Sequence, residues 1–142
     1  MLVMRSVNKK KKNRANKANK LRVENFMNYT DSDNWDNIVL GLDESTKKLL
    51  WFREGTDGDE HLLIDLQKMG KCKLVNVSRN FTQDKTSSTV IDQLGLELLP
   101  KDSNESPVFL EFYNATNVFV FNIHLQLQAK WHKLITSQLE GK

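Results

Sequence analysis

Residues 123–142, IHLQLQAKWHKLITSQLEGK, decide how the rest of the chain is read. Leu127, Trp131, Leu134, Ile135 and Leu139 recur at i, i+4, i+7, i+8 and i+12. That spacing draws one apolar stripe along an amphipathic helix, which Gly141 would end. Upstream, back to Trp35, the period is different. Short apolar runs alternate with turn signals: IVLGL (38–42), KKLLWFR (47–53), HLLIDL (61–66), KCKLVNVSR (71–79), TVIDQLGLELL (89–99), VFLEFYN (108–114) and VFVFN (118–122). The connections DEST, EGTDGD, QKMG, NFTQDKTSS, PKDSNESP and ATN supply the Gly, Asp, Asn, Ser and Pro that chain reversal requires. Leu94, Leu96 and Leu98 point to one side of their run.

Seven short antiparallel strands cannot bury both faces unaided, and a sheet that curls on itself leaves an end to cover. The pattern therefore predicts a mainly β fold, a seven-stranded antiparallel, partly open barrel capped by one C-terminal helix. Leu127, Trp131, Leu134 and Ile135 would form the core of that cap. Its span would be 34–142, preceded by a basic segment, 1–33, partly helical or disordered. Within that segment Ala15, Ala18 and Leu21 favour a helix running toward Phe26, and NYTDSDN (28–34) reads as a loop.

At this architecture the chain resembles the pleckstrin-homology-like superfold over about residues 35–140. In NWDNIVLGLDESTKKLLWF, LIDLQKMGKCKLV and FLEFYN…AKWHKLI it is similar to the cytosolic part of small bacterial membrane proteins. In those proteins, transmembrane helices precede a Lys-rich segment and then a β-rich domain. The resemblance implies a fold and a location at the cytoplasmic face of the bacterial inner membrane, and it implies no chemistry.

Charge is divided unevenly along the 142 residues. The net charge is +3, yet residues 1–22 hold nine of the 21 Lys and Arg and none of the 18 Asp and Glu. The remaining 12 basic residues therefore face all 18 acidic ones, and residues 23–142 carry −6. A basic arm on an acidic body points to contact with an anionic surface through the arm. Lys9, Lys10, Lys11, Lys12, Arg14, Lys17, Lys20 and Arg22 are the candidate contacts. A lysine run after MLVM also matches the cytoplasmic flank of a membrane segment. If Met1 is the true start, the expected location is the cytoplasm. The competing reading is a nucleic-acid-associated protein with a basic arm, because the same residues would displace counterions from phosphates. Against it, the arm lacks interleaved aromatics for base stacking and the body is acidic.

Pleckstrin-homology domains that bind phosphoinositides place cations around the first inter-strand loop. Here that loop is LDESTKK, and Asp43 and Glu44 stand where the first cation is expected, beside Lys47, Lys48 and Arg53. Carboxylates at that position repel a phosphate, so the lysines read as the solvated side of a hairpin.

Enzymatic signals are weak. His61, His124 and His132 have no catalytic spacing, DGDE (57–60) lacks the ligand pattern of a calcium loop, and Cys72, alone, reads as a small core residue. Five Asn-x-Ser/Thr triplets, at Asn28, Asn76, Asn80, Asn104 and Asn114, are what an Asn-rich chain places in its turns. The expectation is a non-enzymatic membrane-proximal interaction domain without cofactor or metal. It would bind a protein or peptide partner, by strand addition at the sheet edge beside the C-terminal helix.

Overall fold

The computed structural model describes residues 2–114 and 122–140. It divides into two compact units, Met1–Gln67 and Lys68–Lys142.

The first unit holds helix α1 (Leu2–Glu24) and strands β1 (Asp31–Trp35), β2 (Ile38–Asp43), β3 (Lys48–Arg53) and β4 (Glu60–Asp65). They form an antiparallel meander in the order β1-β2-β3-β4. Every residue of β2 is buried, as expected of a central strand covered on both faces. One face carries Trp35, Ile38, Leu40, Leu42, Leu49, Trp51 and Ile64, all buried. The other carries Val39 and Phe52, on which Ala18 of α1 packs with Leu21 beside it. Register places Gly41 on that second face, where the Tyr29 ring occupies the space a Cβ would need.

The second unit holds β5 (Met69–Gln83), β6 (Thr86–Pro100), β7 (Val108–Asn114) and helix α2 (Asn122–Glu140), with the strands in the order β5-β6-β7. Asp84 and Lys85, with φ of 51° and 67°, join β5 to β6 in a two-residue turn. This left-handed pair matches the right-handed twist of the flanking strands. Leu94, Leu96 and Leu98 are buried, with Leu110 and Phe112 of β7. α2 contacts all three strands, and Leu127, Trp131 and Ile135 are buried.

The mainly β content and the C-terminal helix are as the sequence predicts. The strands form two antiparallel sheets, of four and three strands, and there is no closed barrel among the described residues. The strand set also differs from the seven runs. β1 falls in DSDNW, where composition argues for a loop. Pairing with β2 across the tight Asp36–Asn37 turn overrides that propensity, with Asp36 at φ 49°. NFTQDKTSS, expected as a loop, is mostly strand, because the hairpin ladder continues to its two-residue turn. Of the expected strand 118–122, residues 118–121 lie outside the described residues and Asn122 opens α2; Gly141 lies outside them too. Of the two alternatives for the basic segment, helical or disordered, the structure has a helix from Leu2 to Glu24, and the first sheet begins at Asp31, before the expected boundary at 34. Leu134 is half-buried, on the flank of the α2 stripe rather than in its core.

Candidate functional site

α1 divides the candidate basic residues by their surroundings. Turning 100° per residue, it sets Arg14, Ala18 and Leu21 on one side, and that side faces the sheet. Arg14 is buried and donates through Nε to Asn34 Oδ1 at 2.7 Å, with Glu54 at 3.8 Å. Burial lowers its pKa, and Glu54 and Asp36 oppose that shift. Lys17 reaches Glu54 at 2.9 Å and Asp59 at 3.4 Å, and the Glu54 hydrogen bond raises its pKa. Arg22 donates to Asn19 Oδ1 at 2.7 Å and to the Met27 carbonyl at 2.8 Å, and stands 5.9 Å from the Tyr29 ring centre. These three cations are engaged within their own unit. Lys11, Lys12 and Lys20 are exposed and make no ion pair among the described residues. Lys9 and Lys10 lie in α1, but their side chains are outside the described set.

Between α1 and β1 runs an open groove of about 510 Å³, lined by Lys11, Asn16, Asn19, Tyr29, Ser32 and Asn34 among others. The Tyr29 hydroxyl at its wall is buried without a hydrogen-bond partner among the described residues, and burial pushes its pKa up to about 12. The groove is polar and wide, and Lys11, Asp33 and Tyr29 are the titratable residues that line it.

The β2–β3 turn is organised by Asp43, which is buried and accepts hydrogen bonds from Asn28 N–H, Ser45 N–H and Ser45 Oγ–H. Arg53 is held by Glu60 at 2.6 Å and lies 5.2 Å from the Trp51 ring centre. The hairpin that would cradle a phosphoinositide thus has its nearest carboxylate inside the turn and one of its cations paired.

In the second unit the polar residues of α2 do structural work. Gln128 is buried and donates to the carbonyls of Val75 (2.9 Å) and Gly95 (3.0 Å). His132 Nε2 is 3.1 Å from the Cys72 carbonyl. His124 is buried with its ring 5.1 Å from that of Tyr113. Two carbonyls of the outer strand β5, those of Val75 and Cys72, are therefore engaged by α2 side chains. Sequence reasoning missed Gln128, although His124, Gln128 and His132 at spacing four mark a polar stripe beside the apolar one. Cys72 is buried and its thiol is pushed up to about 12 by burial, which leaves it a poor nucleophile. Glu111 accepts hydrogen bonds from Gln93 and Asn114.

Among the described residues no cluster of three or more His, Cys, Asp and Glu side chains is placed to hold a metal ion, and no helix is long and apolar enough to cross a membrane. No protein-family model, curated protein or solved structure matches this chain.

Proposed function

We propose that this chain is a non-enzymatic interaction domain of pleckstrin-homology-like type that lies against an anionic membrane surface through the solvent side of α1. The observation that carries the proposal is the division of charge on that helix. Arg14, Lys17 and Arg22 are engaged by their own unit, whereas Lys11, Lys12 and Lys20 are exposed. Each cation close to an anionic leaflet contributes about 1 kcal/mol, within a Debye length of about 8–10 Å. With residues 23–142 at −6, attraction through any other face is opposed. A protein or peptide partner would then meet the domain at the membrane. The polar groove beside β1 is a better place for it than the β5 edge that α2 engages.

Truncating the helix is a poor test, since Ala18 and Arg14 are part of the fold. Lys11 shares the Arg14–Ala18 side and lines the groove, whereas Lys12 and Lys20 lie away from it, so reversing Lys12 and Lys20 to Glu keeps the inner side intact. The double variant should lose about tenfold or more in affinity for vesicles containing phosphatidylserine and keep its melting temperature. Wild-type binding should weaken steeply with salt and vanish on pure phosphatidylcholine. Binding to duplex DNA with none to vesicles would replace this reading with the nucleic-acid one.

A further inference from the structure

We infer that Val23 and Phe26, at the C-terminal end of α1, form an apolar prong that enters the interfacial region of the anionic membrane, an inference that rests on the membrane reading above. Phe26 is 88% exposed and Val23 55% exposed. A lone exposed apolar side chain is ordinary; this one sits where the backbone makes it expensive. α1 ends in a reversal in which the Phe26 N–H bonds the Val23 carbonyl (3.1 Å) and the Met27 N–H bonds the Arg22 carbonyl (3.0 Å). That pair of bonds is the Schellman motif, and its turning residue must be left-handed. Phe26 is that residue, with φ 56°. Glycine adopts this conformation without the clash a Cβ brings, so it is the residue usually found there.

The reversal is held firmly. Asn25 bonds the Leu21 carbonyl through both its backbone N–H (3.1 Å) and its side-chain amide (2.8 Å). Arg22 donates to the Met27 carbonyl. Met27 is buried, and Phe26, one residue earlier, is turned outward. The fold thus bears a strained backbone to hold a phenyl ring in water, where the ring contributes nothing to the core.

The surroundings indicate what the ring meets. Lys12, Asn16, Lys20 and Val23, spaced four, four and three residues apart, lie on one side of α1 and are all exposed. That side runs from cations to an apolar tip. Aromatic and aliphatic side chains bordered by lysines suit the headgroup–acyl boundary of a bilayer, where the ring leaves water while the ammonium groups stay with the phosphates. Charge complementarity therefore commits the prong to an anionic lipid surface.

Two variants of the full chain test this on vesicles of phosphatidylserine and phosphatidylcholine. Phe26→Gly removes the ring and suits the left-handed position, so its melting temperature should equal or exceed that of wild type. Its affinity should fall roughly five- to tenfold, the order expected from leaving one large apolar side chain in water. The slope of binding against salt should not change, because no cation is lost. Phe26→Trp places a reporter at the tip. Trp35, Trp51 and Trp131 are buried, so the added emission is water-like in solution. It should shift to the blue and be quenched by lipids brominated along the acyl chain once vesicles are present. If the Trp variant binds vesicles but its tip emission stays water-like and unquenched, the prong is refuted while the electrostatic contact of α1 stands. If wild type does not bind these vesicles, the membrane reading and the prong fall together.

Discussion

Asp43 offers the sharpest check on how the first unit is held together. It closes β2 with only 1% of its surface exposed, and its carboxylate accepts from Asn28 N–H (2.9 Å), Ser45 N–H (3.0 Å) and Ser45 Oγ–H (2.7 Å). A further, longer bond comes from Thr46 N–H at 3.4 Å. The Asn28 backbone donor is the largest cause, followed by the Ser45 hydroxyl; together they outweigh burial and pull the pKa from 3.8 to about 2. The folded pKa lies below the unfolded one. The stabilisation is therefore complete above about pH 4 and is lost as pH falls toward 2. A shift of nearly two units at 1.36 kcal/mol each sets an upper bound of about 2.5 kcal/mol. Glu44, Ser45 and Thr46 of the same turn are exposed, and solvent screening trims the figure to about 1–2 kcal/mol. Asp43→Asn keeps the volume but turns one oxygen into a donor facing donors. Urea unfolding followed by tryptophan emission should show the variant about 1–2 kcal/mol less stable at pH 7, with the gap closing between pH 4 and pH 2. The amide of Asn28 should exchange faster in the variant, since that bond ties the segment after α1 to the hairpin. Equal stability at pH 7, or a gap that persists unchanged to pH 2.5, would refute the account.

Gln128→Leu leaves the Val75 and Gly95 carbonyls without their shared donor and should cost about 1–3 kcal/mol in thermal unfolding; a neutral outcome would mean that those carbonyls have other partners. Asp84→Asn with Lys85→Gly fits the two left-handed positions of the β5–β6 turn and should raise stability by about 1 kcal/mol, and a lower melting temperature would contradict the assigned turn.

What could be read from the sequence follows the range of the interactions involved. Leu94, Leu96 and Leu98 alternate, and Leu127, Trp131 and Ile135 recur on one helical side. In both cases the burial pattern repeats within a few residues, so the period shows it, and the structure buries all six. DSDNW (31–35) could not be read as a strand, because its polar composition is overruled by a partner strand and a tight turn. The continuation of β5 and β6 beyond residue 79 was hidden for a similar reason. Several side chains there are exposed, so no apolar alternation marks them.

The basic segment shows the deeper limit. All nine cations look alike in a composition count, yet Glu54 and Asp59, which sort them, lie 37 or more residues further on. Arg14 even replaces an apolar residue on the packed side, where a search for hydrophobic period would pass over it. Phe26 was legible as an apolar residue near a helix end, and that is why it was read as a continuation of the helix. Its meaning changes only with the sign of φ, because a left-handed cap reverses the direction in which the side chain leaves the backbone. As a cap residue it stands in solvent, 88% exposed, as Val23 does at 55%. The proposed membrane contact thus rests on pairings and a dihedral that composition and period do not carry, while the strands and α2 rest on short-range patterns that they do.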